Sequence, residues 1–360
     1  MKLRWLMVHP GPSWSVHDVH VGWAEALREL GQDVHEFRLD DRLAFYDKAM
    51  VEDGPANENG VHQFRKMVTT DQASALAIRG LPGELWRLRP DVLFLINGAF
   101  VPAEILEHAR RAYGTRVVTI HTEEPYETDR ALRLAGHSDL NLITDPTNLQ
   151  QFLDVAPTVF APHCYRPAVH HPGPGRTDLR SDLAFVGTGF GSRRWFLEEL
   201  ARAGHLQGLD VLLAGNWQGL RPDSPIRPFV AADAPEDCCD NELTADIYRA
   251  ARMSLNLYRR DALTDGGHAA GQAMGPREVE MAACGLFFLR DPRPEGDEVF
   301  PMLPRFTDPD SAGELIQWWL AHDDERRTAA GQAYAAIADR TFKGSAQKLL
   351  RLFDRAPTQN

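Results

Sequence analysis

Residues Gly275 to Leu289 read GPREVEMAACGLFFL, and this stretch decides the fold. Pro276 suits the first position of a helix, where its missing N–H costs nothing. Val279, Ala282 and Ala283 fall at apolar helical spacing, Gly285 suits a helix C-terminus, and LFFL is the short apolar run of a buried strand. The spacing predicts a helix running directly into a strand. Arg277 and Glu280, three residues apart, share one face near the N-terminus of that helix. Free N–H groups and a guanidinium fork suit phosphate oxygens, and a carboxylate can accept two neighbouring ribose hydroxyls, so the pair can hold a nucleotide diphosphate. The alternative is an i,i+3 surface ion pair.

The order R-x-x-E-x-x-A-C-G before an apolar strand resembles the donor-site helix of GT-B glycosyltransferases, most closely their CgeB-like (spore-maturation type) group. The resemblance implies that Glu280 takes the ribose hydroxyls and Arg277 the donor phosphates, with Gly275 at the helix start. Many retaining GT-B enzymes carry a second Glu eight residues earlier, where this chain has Gln272. Sugar recognition and stereochemistry therefore stay open.

Strand-like and helix-like segments alternate through the first half. Leu3 to Val8, Val34 to Leu39, Val92 to Ile96, Val117 to Ile120 and Leu140 to Ile143 read as strands, and Trp23, Ala26, Leu27 and Leu30 mark a helix that stops at Gly31. The pattern predicts an α/β fold with a doubly wound parallel sheet, whose ligands bind beyond the strands' C-terminal ends. His9, Gly11, Ser13, Asn97 and Tyr126 lie on such loops and are candidate acceptor-side residues. The cluster HTEEPYE supplies an imidazole and carboxylates that can take a proton from an acceptor hydroxyl, with His121 the first choice and Glu123 and Glu124 the alternatives. The carboxylates can equally serve the start of the next helix. An acidic-acidic-Pro-aromatic segment in CgeB-like proteins resembles Glu123, Glu124, Pro125 and Tyr126. His17, Asp18 and His20 read as a partly exposed helix start rather than metal ligands, and residues 40–80 as an irregular insertion.

A Pro/Gly-dense stretch from Ala161 to Gly175 marks a domain boundary. Beyond it, Leu183 to Val186 is a strand ending in Gly187-Thr188-Gly189-Phe190-Gly191-Ser192-Arg193-Arg194, a glycine-rich strand-to-helix loop whose N–H groups and two arginines suit a phosphate. It is neither a dinucleotide fingerprint nor a Walker A loop, and a structural tight turn is the alternative. Asp210 to Ala214 is a strand leading to Asn216 and Trp217, and Ile226 to Val230 reads as a brief strand. The GT-B resemblance implies that the donor base lies against this region, with Trp217, Pro228 and Phe229 stacking on it or packing in the core. Residues 259–274 read as a mobile loop, with His268 a candidate contact to the transferred sugar. Three helices follow from Ser311.

The formal charge of −12 argues against a general polyanion binder, though it does not exclude a modified nucleobase as acceptor. The four cysteines show no CxxC spacing and make a zinc site or disulfide framework an unfavoured reading. No signal peptide and no run of about 18 apolar residues is evident, which predicts a cytoplasmic protein without a membrane span. The combined expectation is a GT-B fold, two Rossmann-like domains facing a cleft: residues 1–165 for the acceptor, 166–340 for the nucleotide sugar, and 341–360 a helix packing back on the first domain. The activity implied is a hexosyltransferase-like, metal-independent transfer from a nucleotide-diphosphate sugar, with no cofactor. A nucleotide-sugar epimerase or hydrolase on the same fold and a non-catalytic nucleotide-sugar or glycan-binding protein are the rival readings.

Overall fold

The computed structural model of the chain describes residues 2–12, 16–49, 51–56, 62–231, 239–260 and 271–355. Ser13 and His268 lie outside the described residues. The chain forms two compact units: Met1–Thr144, Asn148–Ala161 and Ala346–Asn360 make the first, and Asp145–Thr147 with Pro162–Ser345 the second.

In the first unit the elements run β1 (Arg4–Val8), α1 (His17–Glu29), β2 (Asp33–Phe37), α2 (Leu39–Ala49), β3 (Val51–Ala56), β4 (His62–Lys66), α3 (Thr70–Ile78), α4 (Leu81–Leu88), β5 (Val92–Ile96), α5 (Ala103–Tyr113), β6 (Arg116–His121), α6 (Thr128–Ala135), β7 (Leu140–Ile143), α7 (Leu149–Leu153) and β8 (Thr158–Phe160). Six strands form a sheet in the order β2-β1-β5-β6-β7-β8, every pair parallel. All five residues of β5 are buried, as a strand covered on both faces requires. α1 buries Trp23, Ala26 and Leu27, and the chain leaves it through Gly31 in the left-handed region (φ 76°).

The expected irregular insertion is instead regular. Its described residues hold α2, the antiparallel pair β3–β4 and α3. Short helices with few apolar positions give weak periodicity, but Thr69 and Gln72 form a reciprocal capping box that starts α3.

The second unit continues with β9 (Ser181–Val186), α8 (Gly191–Arg202), β10 (Val211–Ala214), α9 (Asn241–Ala250), β11 (Ala251–Asn256), α10 (Pro276–Ala283), β12 (Phe287–Arg290), α11 (Pro294–Val299), α12 (Pro309–Ala321), α13 (Asp323–Ala336) and α14 (Phe342–Arg355). Its four parallel strands are ordered β10-β9-β11-β12. Residues 226–230 are not a strand. Arg227–Phe229 is a turn of 3₁₀ helix, with Phe229 N–H donating to Ile226 O (3.1 Å), and only Val230 bridges to Leu213. Pro228 has no N–H to give a ladder, which favours the turn. α14 ends in the first unit, where Phe353 packs at 5.7 Å from the Trp5 ring and beneath the Arg116 guanidinium.

Both sheets reverse strand order beside their first strand. In the first unit the reversal lies between β1 and β5, in the second between β9 and β11. Crevices at the carboxyl ends of such strands are where open α/β sheets take ligands.

Candidate active site

The loops leaving β9 and β11 flank the reversal of the second sheet. Three glycines shape this point. A Cβ on Gly215, which has φ 98°, would come 2.6 Å from Gly187 O, so the chains after β9 and β10 touch backbone to backbone. A Cβ on Gly189 would lie 2.6 Å from Trp217 Cε3, and one on Gly187 3.4 Å from Arg277 Cζ. The Gly187–Gly191 loop therefore packs on the Trp217 ring at Gly189 and beside the Arg277 guanidinium at Gly187.

The two arginines of that loop have different uses. Arg193 is buried, donating from Nε to Leu257 O (2.8 Å) and from NH1 to Thr188 O (3.1 Å) while lying near the Phe185 and Phe190 rings. It ties the glycine loop to the end of β11. Arg194 is half-buried and donates to Gly219 O (2.7 Å). Trp217 is buried and meets Phe185 edge to face, a core position. Asn216 turns the chain: its carbonyl accepts Gly189 N–H (2.8 Å) and its side chain accepts Gln218 N–H (2.9 Å). Pro228 is exposed, and Phe229 is half-buried against the core.

α10 begins at Gly275 and carries Arg277 and Glu280, both half-buried. Among the described residues no ion pair within 4.0 Å joins them, so the i,i+3 surface pair does not form. Burial raises the pKa of the Glu280 carboxyl, and the Arg277 charge opposes that rise. Buried Tyr248 feels the charges of both residues, and its hydroxyl has no hydrogen-bond partner among the described residues. The Asn256 side-chain amide nitrogen, at the end of β11, is likewise buried and without a partner among the described residues. A guanidinium, a carboxyl, a phenol and the N-termini of α8 and α10 thus collect where the sheet reverses. This set suits a diphosphate and a hydroxyl-bearing ring.

Glu278 escaped the sequence reading. It is fully buried, accepts Gly275 N–H (2.9 Å) and the Tyr258 hydroxyl on one oxygen, and its other oxygen has no partner among the described residues. Burial pushes its carboxyl up to about 7, against the downward pull of Tyr258, Gly275, Arg290 and Arg293. Asp145 was also missed: it accepts Gln272 N–H and Ala273 N–H, both at 2.9 Å, and so holds the strand of chain that enters α10. The glutamate three residues after the helix start was a readable capping signal. Asp145 had no local signal, because its partners lie 127 and 128 residues away.

In the first unit the sequence candidates separate. His121, expected as the base, is 2 % exposed; it donates from Nε2 to Asn141 Oδ1 (2.9 Å), whose amide donates to Ala135 O (3.1 Å), and its ring packs on Phe152. Burial lowers its pKa to about 4 despite the Asn141 bond. The imidazole is thus a buried side chain in the core of the first unit, hydrogen-bonded through Nε2. Glu124 is also buried and accepts the Thr128 hydroxyl (2.9 Å) and the Asn148 amide (3.2 Å), which fixes the start of α6. The peptide bond from Glu124 to Pro125 is cis. Glu123 and Tyr126 are half-buried, and Asn97, at φ 57°, accepts both Thr122 N–H (2.7 Å) and the Thr122 hydroxyl (2.9 Å). The loops after β5 and β6 are thereby joined.

His9, at the end of β1, is buried: its Nδ1 lies 2.8 Å from Gly11 O and its Nε2 2.8 Å from His17 Nδ1 and 3.7 Å from Asp40 Oδ2. Gly11 packs against Phe100, where a Cβ would approach to 2.5 Å. His17 opens α1 and is half-buried, while His20 is buried rather than exposed and bonds Glu36 (3.0 Å).

Residues 193–351 match the family model described as Glycosyl transferase-like. No curated protein sequence matches the chain. Solved structures resemble it over almost its whole length. A sucrose-phosphate synthase from Thermosynechococcus elongatus is 13 % identical, with a TM-score of 0.66 and coverage of 98 % of this chain and 99 % of that one. The E. coli trehalose-6-phosphate protein bound with UDP-2-fluoro glucose is 12 % identical at a TM-score of 0.61, covering 98 % and 99 %. Anabaena Alr3699/HepE in complex with UDP-glucose is 10 % identical at 0.61, covering 98 % and 100 %. The fold is GT-B, and residues 193–351 are similar to a glycosyl transferase-like family. Among the described residues no helix is long and apolar enough to cross a membrane.

Proposed function

We propose that the chain transfers a sugar from a nucleoside diphosphate sugar to an acceptor hydroxyl, with the donor held by the second unit and the acceptor by the first. The observation that carries this reading is the seat of Arg277 over Gly187, at the sheet reversal between the N-termini of α8 and α10. Arg277 and the helix ends meet the diphosphate and stabilise its departing charge, a role that needs no metal. Glu280 accepts the ribose hydroxyls, and Tyr248 and Asn256 offer buried polar groups beside them. Arg193 positions the glycine loop and leaves the phosphate contact to Arg277.

Uridine is the first base to test, because two of the similar structures hold UDP-glucose or its 2-fluoro analogue. With His121 and Glu124 engaged in the fold, Glu123 is the acidic candidate to meet an acceptor hydroxyl. The helix order around Arg277 and Glu280 supports placement with the CgeB-like group.

The test is release of UDP from UDP-glucose, UDP-galactose and UDP-N-acetylglucosamine, each with and without a panel of saccharide, peptide and modified-nucleoside acceptors. Acceptor-dependent release with a glycosylated product supports transfer. Release without acceptor assigns a hydrolase, an isomerised donor an epimerase, and donor binding without turnover a binding protein.

A further inference from the structure

The first unit brings together three metal-ligating side chains that the transfer chemistry does not use. The nearest donor atoms of His9, His17 and Asp40 all lie within 4.8 Å of one another. We propose that His9 Nε2, His17 Nδ1 and one Asp40 carboxylate oxygen bind a zinc-class divalent ion.

The tautomer of His9 carries the argument. Nδ1 lies 2.8 Å from Gly11 O and 3.4 Å from Gly11 N; the shorter contact is to the carbonyl, which only accepts, so it places the proton on Nδ1 and leaves a lone pair on Nε2 of the neutral ring. That lone pair accepts His17 Nδ1–H at 2.8 Å and faces Asp40 Oδ2 at 3.7 Å, so a bound ion replaces the shared proton and leaves His17 protonated on Nε2. A ring N–H donating to a backbone carbonyl is the usual support of a metal-ligating histidine, since it fixes both tautomer and orientation. Tetrahedral zinc with nitrogen and oxygen ligands at about 2.0–2.2 Å sets ligand atoms roughly 3.3–3.5 Å apart. The His9–Asp40 distance needs to close slightly and the His9–His17 distance to open by about half an ångström.

The carboxylate is already oriented. Arg38 donates from Nε to Asp40 Oδ1 (3.0 Å) and from NH2 to Oδ2 (2.6 Å), and an ionised carboxylate keeps further lone pairs for an ion. The buried His20 ring lies with its centroid 4.9 Å from that of His9, and its Nδ1 has no hydrogen-bond partner among the described residues. His20 Nε2 is held by Glu36, which Arg28 also binds (2.8 Å). Two imidazoles and a carboxylate favour zinc or cobalt over magnesium or calcium, which prefer all-oxygen sites. The ion is a fixture of the first unit and is separate from the diphosphate chemistry of the second.

The experiment uses the untagged full chain. Zinc bound after dialysis is measured by elemental analysis, and cobalt(II) is titrated with visible absorption as the readout. One ion per chain is expected, with the strong visible bands of four- or five-coordinate cobalt. His17→Ala and Asp40→Asn should each weaken zinc binding about 100-fold. Circular dichroism checks that both variants fold, and the wild-type cobalt spectrum stands independently of them. Wild-type protein that keeps no zinc, a weak six-coordinate cobalt spectrum, or a folded His17→Ala variant that binds zinc as tightly as wild type would overturn the proposal.

Discussion

The guanidinium of Arg277 rests on Gly187: a methyl group added there would stand 3.4 Å from both Cζ and Nε of the arginine. The glycine loop and the helix of the second unit therefore meet at this point, with the cation in van der Waals reach of the strand end.

Gly187 and Gly189 should respond differently to the same change. In Gly187→Ala the new methyl group is accommodated, in contact with Arg277 at 3.4 Å and slightly tight against Phe185 at 3.3 Å, and it occupies the space beside the guanidinium that a diphosphate is proposed to use. Affinity for a nucleoside diphosphate should fall about tenfold, or ~1.4 kcal/mol, with the melting temperature nearly unchanged. In Gly189→Ala the methyl group meets the buried Trp217 ring at 2.6 Å, which cannot yield cheaply. Stability should drop by about 1–3 kcal/mol, measured by urea unfolding.

Arg193 and Arg194 form a second contrast. Arg193→Ala leaves the carbonyls of Thr188 and Leu257 without their buried donor, and should cost about 2–4 kcal/mol of stability. Arg194→Ala loses one bond to Gly219 O at a half-exposed position and should cost under about 1 kcal/mol. Equal effects on unfolding would show that Arg193 does not tie the loop to β11.

His121 should matter to acid stability and little to turnover. Its folded pKa of about 4 lies below the ordinary 6.5, so the unfolded chain takes up a proton first as pH falls. Its stabilising effect is complete above 6.5 and lost between 6.5 and 4, by up to about 3 kcal/mol. His121→Gln keeps a donor for Asn141 and removes that loss, so the acid midpoint of unfolding should move lower. Its kcat should stay within a few-fold of wild type, whereas Glu123→Gln should lower kcat by about 100-fold or more. A large loss of kcat in His121→Gln alone would restore the imidazole as the base.

Glu278 titrates in the opposite sense. Its carboxyl is raised from 4.5 to about 7 in the folded chain, so the native state holds the proton more tightly than the unfolded one. The fold gains most from this below 4.5 and loses it as pH rises to 7, by up to about 3 kcal/mol. Glu278→Gln should flatten stability against pH across that window, as read from melting temperatures.

Much of this architecture was legible because it rests on local periodicity. The apolar runs at Val92–Ile96 and Leu140–Ile143 coincide with β5 and β7, and Pro276 and Gly285 bracket α10 as their backbone preferences require. What stayed hidden depends on contacts between distant segments. A histidine at a strand end looks the same in sequence whether it faces solvent or, like His121, turns inward onto Asn141 and Phe152. The Arg193/Arg194 pair reads as two equivalent cations, and only the burial of Arg193 against Leu257 separates a tie from a surface group. Similarly, His17 in α1 meets His9 and Asp40 only when β1 and the start of α2 are set side by side.

The central claim is that the second unit binds a nucleoside diphosphate through Arg277 and Glu280. Calorimetric titration of UDP into wild-type protein and into Arg277→Ala tests it most directly. Saturable one-to-one binding is expected in the wild type, weakened about 100-fold, or ~2.7 kcal/mol, when the charge-assisted bonds of Arg277 are removed. Failure to bind UDP, GDP, TDP, ADP or CDP, or equal affinity in the folded variant, would contradict the account.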